Sequence, residues 1–544
     1  MAKLTKEGIR DKKQWEQIGI KLPNFDFDAL CEQTKEHPRW AHVGPGNIFR
    51  GFVAALAQKL LDEGKMKSGI TAVSTFDHQI LDMIYNPYDN LALQVLMHAD
   101  GQLDKTVIAS IGDSLRADAA APEEWDRLKK IFANPELQMV SFTITEKGYH
   151  IKGMNGEFYP AVLDDFKNGA LGGVPNNGMS IIAALLLERF RTGAHPIAMV
   201  SMDNFSHNGD KLFDSVRTVS EKWVENGTAP QAFLDYIKDP SRVSFPWSMI
   251  DKITPRPDAT VSKELEKAGF ESTKLVVTDK NTYIAPFVNA EAPQYLVIED
   301  NFPNGRPPLD QLKEAGVYLV DRKTVDLVER MKVCTCLNPL HTAMCIFGCL
   351  LGYTSIAAET KDPAIAELIR KIGYVEGMPV VADPGILNPA DFLKEVIEDR
   401  LPNPFIPDTP QRIATDTSQK MPIRFGETIR LYGERADLDV QSLHCIPLAI
   451  AAWCRYLMGL DDNGETMQLS PDPLMDQLQS YLKDVQFGKP ETTGDALHPI
   501  LSNTRIFGLD LYKAGLGTRI ETYFKKMIAG KGAVRKTIDE EVLD

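Results

Sequence analysis

A doubly wound α/β domain followed by a mainly α-helical domain is the architecture this 544-residue sequence predicts. Three observations carry that reading. A short apolar run ends in Gly44-Pro-Gly46 and leads straight into a helical pattern. Strand-like and helix-like runs then alternate as far as residue 321. From residue 322 onward helical periodicity takes over. A chain of this length holds two to four domains and a substantial core.

The first element is "RWAHVGPGNIFRGFVAALAQKLLDEGK", read as strand, glycine turn and helix. Glycines let a backbone approach a phosphate, and the helix N-terminus offers N–H groups and the positive end of a dipole. Gly44, Gly46, Asn47, Ile48, Phe49 and Arg50 are therefore candidate nucleotide contacts. The usual third glycine is missing, with Phe49 in its place, and a glycine turn in any α/β protein looks similar. A second strand, "GITAVSTFD", ends near Asp77, where a Rossmann-type unit keeps its ribose-binding acid. No arginine lies beside it to meet a 2′-phosphate, which favours NAD over NADP. Asp77 also reads as the N-cap of the helical run "DHQILDMIY". The runs "KTVIASIG", "LQMVSFTIT" and "HPIAMVSMDN" continue the parallel sheet, while 277–308 is turn-rich and reads as an antiparallel extension. These boundaries give an N-terminal extension over 1–35, a Rossmann-type domain over 36–321 and a helical domain over 322–544. Substrate and cofactor are expected to meet in the cleft between the two domains.

Composition excludes several classes. A net charge of −15 argues against nucleic acid. The polar N-terminus reads as no signal peptide, and no run of about 18 apolar residues reads as a membrane span. Seven cysteines in such a chain suggest reduced thiols in a cytoplasm.

Chemistry concentrates in "MKVCTCLNPLHTAMC", residues 331–345. Three readings compete. Structural zinc needs a second pair of soft ligands, and none is spaced for it. A nucleophilic cysteine needs a lowered pKa, which an apolar setting opposes. A lysine partly withdrawn from water can exchange a proton with a carbinol or ketone oxygen, an asparagine amide can hold that oxygen, and a histidine can fix hydroxyls. The third suits Lys332, Asn338 and His341, although Lys332 also reads as a solvated lysine at a helix start. A second polar cluster, "VSMDNFSHNGDKL", follows a strand and carries Asp203, Asn204, His207, Asn208 and Asp210. Strand C-termini are where α/β enzymes place sites, so His207 and Asn208 are candidate substrate contacts, with a loop of turn formers the alternative.

Together these pieces resemble the mannitol dehydrogenase family of polyol-specific long-chain dehydrogenases. "HVGPGNIFRGF" is similar to its nucleotide signature, "MDNFSHNGD" to its D-N…N-G loop, and "SMIDKITP" to its M-V-D-R-I-T-P element. "YLVIEDNFPNGRPPL", "DRLPNP" and "DTSQKMP" match further segments in order, over roughly residues 40 to 530. The resemblance implies NAD(P), no metal, a catalytic lysine at Lys332 and an oxyanion pocket from Asn338 and Asn204. It implies further site residues at His341, Asp251 and Arg400. The expected substrate is a keto sugar acid such as fructuronate, reduced to its aldonate. A mannitol-type polyol, or a sensor without catalysis, is the alternative, and the protein acts as a monomer or homo-oligomer.

One spacing departs from that pattern. Lys332 precedes Asn338 by six residues instead of five. On a regular helix, at about 100° per residue, this turns Lys332 to the face opposite His341. The sequence therefore predicts an irregularity between Lys332 and Pro339, either a π-bulge or a new helix with Asn338 as its N-cap.

Overall fold

The computed structural model describes residues 1–98, 100–153, 155–406 and 408–543. Two compact units divide the chain, Met1–Asp326 and Leu327–Asp544.

The first unit is organised by six parallel strands. They are β1 (Trp40–Val43), β2 (Ile70–Ser74), β3 (Ile111–Arg116), β4 (Met139–Phe142), β5 (Ile197–Ser201) and β6 (Val243–Ser244). Their order across the sheet is β3-β2-β1-β4-β5-β6. This is the dinucleotide-binding arrangement, with its switch point beside β1. Alternation along each strand fills two cores. Ile197 and Met199 enter one with the helices Gly178–Arg191 and Asn208–Glu225, while Ala198 and Val200 enter the other with Ala54–Asp62.

Smaller sheets complete the unit. "KTVIASIG" does not extend the main sheet as expected: Leu103–Ile108 pairs antiparallel with Ala92–Met97 in a four-stranded sheet, and β3 starts three residues later. The turn-rich segment is mixed rather than antiparallel throughout. Val276–Val277 and Tyr283–Ile284 form an antiparallel hairpin, whereas Phe287–Glu291 pairs parallel with Ala92–Met97. The first 35 residues pack into this unit. Ile20–Lys21 adds a strand beside Leu103–Ile108, and Thr34 Oγ1 accepts from the Gly69 N–H at 2.8 Å just before β2.

The second unit is helical. Its centre is the pair Asn338–Leu351 and Cys445–Tyr456, both almost wholly buried. Glu376 starts the second of these: its carboxylate accepts from the N–H groups of His444, Cys445 and Ile446 at 2.6 to 2.8 Å. Four π-helical turns interrupt the unit, at Met331–Cys336, Lys371–Gly377, Val396–Arg400 and Pro422–Gly426.

Candidate active site

The glycine turn sits at the end of β1. Gly44 adopts φ +99°, and a Cβ there would lie 2.2 Å from the Thr143 carbonyl oxygen, so only glycine fits. Gly46 is its opposite: no atom lies within 4 Å of where its Cβ would stand, leaving its backbone open to approach. The helix begins at Asn47, so the N–H groups of its first turn have no acceptor within the helix. At the end of β2 the Asp77 carboxylate is buried. Its Oδ2 accepts from Thr278 Oγ1 at 2.6 Å and Thr282 Oγ1 at 2.5 Å, while the buried Oδ1 has no partner. A phosphate at an open N-terminal turn and a ribose hydroxyl at an orphaned carboxylate oxygen fit a nicotinamide dinucleotide.

The side chains around this turn hold it in place. Phe49 is fully buried and stacks on His42, with ring centroids 4.0 Å apart. Arg50 is 1% exposed; its guanidinium donates to the Ala285 carbonyl at 2.8 Å and to Asn47 Oδ1 at 2.9 Å. Asn47 Nδ2 donates to the Tyr283 carbonyl, and Ile48 packs on the core. These side chains brace the turn, and what they can offer a nucleotide is backbone. Burial lowers Arg50 to about 10 and His42 to about 3. The Thr278/Thr282 pair was not anticipated, because a hairpin returning about 200 residues later leaves no local signal.

The loop after β5 divides in two. Asn204 is exposed, and Asp251 is buried at the end of the strand Ser248–Asp251. Asn208 is not available to a substrate. It is 1% exposed, its Nδ2 donates to the carbonyls of Asp203 and Ser248 at 2.9 and 3.1 Å, and its Oδ1 accepts from the Ser248 N–H at 3.0 Å. Asp203 likewise holds the backbone, accepting from the N–H groups of Ile144 and Thr145 and from the Tyr149 hydroxyl. His207 is exposed in the left-handed region at φ 50°, stacked on Trp247 and 3.5 Å from Asp326.

In the second unit the segment around Lys332 is broken as the spacing predicts. A π-helical turn spans Met331–Cys336, closed by the Leu337 N–H donating to the Lys332 carbonyl at 3.1 Å. Leu337 then leaves helical geometry (φ −127°, ψ −61°), and a new helix starts at Asn338. The five-residue closure absorbs the extra residue. The cap differs by one position: Leu337 occupies the N-cap and Asn338 is the first helical residue, which frees its amide from capping. Lys332 is 3% exposed.

His341 lies one turn further on, in a charged setting. Burial holds it at about 4; the Asp408 carboxylate opposes the shift, while the Arg424, Arg400 and Arg412 guanidiniums deepen it. Arg412 is paired with Asp408. Arg424 donates to Thr342 Oγ1, which itself donates to the Asn338 carbonyl at 3.0 Å. Arg424 follows the segment "DTSQKMP" with no motif of its own, and only folding places it beside the Asn338 helix.

The thiols stay inert. Burial pushes Cys336 and Cys349 up to about 12 and raises Cys345 well above its ordinary value, and no disulfide joins the seven cysteines. Among the described residues no three His, Cys, Asp or Glu side chains gather into a metal-holding group.

Two family models match the chain: the mannitol dehydrogenase Rossmann domain over residues 38–311 and the mannitol dehydrogenase C-terminal domain over 324–528. A D-mannonate oxidoreductase of Thermotoga maritima is 55% identical over 540 residues, covering 99% of each chain. A mannitol 2-dehydrogenase of Pyricularia oryzae is 27% identical over 94% of this chain and 93% of its own. Among solved structures, Pseudomonas fluorescens mannitol 2-dehydrogenase in ternary complex with NAD and D-mannitol superposes with a TM-score of 0.68. It is 25% identical and covers 99% of both chains.

Proposed function

The chain belongs to the mannitol dehydrogenase family, and from that premise we propose that it interconverts a keto sugar acid, fructuronate, and its aldonate, mannonate, with NAD, in the cytoplasm. The likeness to a D-mannonate oxidoreductase over 99% of both chains carries the reading. When bound, the nicotinamide supplies the hydride acceptor or donor. The first unit offers the Gly44–Gly46 turn and Asp77 to the nucleotide, and Asn204 to the substrate oxygen. The second offers Lys332, Asn338, His341 and Arg400.

In the oxidation direction Lys332, as the neutral amine, accepts the proton of the carbinol oxygen while the hydride leaves carbon. In reduction the ammonium returns that proton to the carbonyl oxygen. The Asn338 amide holds the oxygen as its charge develops. Seven cysteines without a disulfide support a reducing compartment.

Following nicotinamide absorbance with fructuronate, tagaturonate, fructose, mannonate and mannitol tests this. Turnover confined to fructose and mannitol would replace the reading with a polyol dehydrogenase. Nucleotide binding without turnover would indicate a sensor. The cofactor is tested separately: NADH is preferred to NADPH, and Asp77→Ala narrows that preference about tenfold, because the carboxylate repels a 2′-phosphate. Equal use of both by the wild type would overturn the NAD assignment.

A further inference from the structure

We propose that Arg424, supported by Lys420, is the group that recognises the substrate's carboxylate, and so selects sugar acids over neutral polyols; this rests on the hexuronate reading above.

The case begins with how other buried arginines of this chain are satisfied. Arg189 donates to five backbone carbonyls, those of Phe132, Asn134, Leu137, His195 and Pro196. Arg455 is surrounded in the same way by carbonyls of Leu460, Asp461 and Met527. Such arginines hold a fold together. Arg424 does not follow that pattern. Its one protein partner among the described residues is the Thr342 hydroxyl, and no carboxylate lies within ion-pairing distance of it. Lys420 is one turn away; it donates to the carbonyls of Ile413 and Thr415 and likewise has no acidic partner among the described residues. Asp408, whose carboxylate acts on His341, is occupied by Arg412.

Neighbouring cations repel each other: burial first, and then the Arg424 and Arg412 guanidiniums, lower Lys420, and the nearby Asp416 carboxylate, which forms no ion pair with it among the described residues, does not reverse the shift. Arg424 is lowered by burial to about 10 and still carries its charge at neutral pH. An arrangement of this kind is relieved by an anion. A guanidinium whose protein partner is a single hydroxyl is shaped to take a carboxylate in a bidentate grip.

Position fits as well. Through Thr342, Arg424 is linked to the Asn338 carbonyl, and it faces His341. Arg424 and Lys332 share a further feature: each sits in a π-helical turn, and the two turns pack against one another within the second unit. π-turns displace side chains from a regular helical register and recur at functional sites.

The test uses full-length protein. Arg424→Gln should raise KM for fructuronate about 100-fold, the loss expected for a charge-assisted pair, with much less change in kcat. Arg424→Lys should recover part of that loss. A drop in kcat at constant KM, or Gln and Lys variants behaving alike, would overturn the assignment. Should Arg424→Gln fail to fold, wild-type protein decides. With NADH bound, mannonate should bind at least tenfold more tightly than mannitol, and rising salt should erase the difference; equal affinity for the two would defeat the proposal. If the wild type turns over no hexuronate at all, the functional reading falls, while the same binding comparison still judges the carboxylate site.

Discussion

The loop Asp203–Asn208 and the first turn of the helix Asn338–Leu351 look alike as sequence: each packs asparagine and histidine into a few residues beside an apolar element. Folded, they part company. In the loop, Asn208 and Asp203 turn inward and are saturated by backbone groups from Ile144, Thr145 and Ser248. Around the helix, Asn338 keeps its amide out of the cap, and Arg424 has a single hydroxyl as its protein partner among the described residues. The difference teaches that residue type marks polar places, and satisfaction divides them. A buried polar group with every partner in place holds the frame, whereas one lacking partners is held ready for a ligand.

Removing the acid/base group should produce the largest effect. Lys332→Ala should lower kcat by about 10²–10⁴, the usual contribution of a positioned proton-transfer group, with NADH affinity retained. Stopped-flow or steady-state rates beside nucleotide titration check this. Near wild-type turnover would return the proton transfer to another group, with Asp251 next to be examined.

The opposite outcome is expected in the loop. Asn208→Ala takes the side-chain partner from the Ser248 N–H and carbonyl and one of two donors from the Asp203 carbonyl, a loss of about 2–3 kcal/mol in stability that lowers the melting temperature by several degrees. KM for the sugar should follow the wild type in the folded fraction. A raised KM without a fall in melting temperature would restore Asn208 as a substrate contact and erase the contrast between the two regions.

How much of this was legible in advance follows the same division. The doubly wound sheet could be read, apart from "KTVIASIG", because the glycine turn and alternating apolar runs are local patterns, and Gly44 has one conformational reason to be glycine. The irregularity at Lys332 was legible too, since one extra residue on a helix has a calculable consequence. Three things were not. The helices between Pro410 and Glu434 are short and interrupted by Pro422, so their periodicity never accumulates. The braced roles of Phe49, Arg50 and Asn208 depend on carbonyls supplied by distant segments such as Ala285 and Ser248. Arg424 carries no local pattern, and its lack of an ion-pair partner among the described residues appears only in the fold.

The smallest effect concerns pH. His341 takes up its proton near its ordinary value of about 6.5 in the unfolded chain, but in the fold burial and three arginines hold it down to about 4. Between those values the unfolded state binds more protons. The stability conferred by the neutral ring is therefore complete above about pH 6.5 and is lost as pH falls toward 4. Because the ring is only partly buried and Asp408 opposes the arginines, about 1 kcal/mol should be lost between pH 7 and pH 5. His341→Asn removes that titration. His42, held at about 3 in the first unit, gives wild type and variant the same acid slope, so the difference between them isolates His341. Denaturant melts at several pH values should show the His341→Asn protein losing less stability on acidification than the wild type. Parallel curves would mean that the arginines around His341 do not oppose its charge, and would weaken the picture of a cationic pocket awaiting an anion.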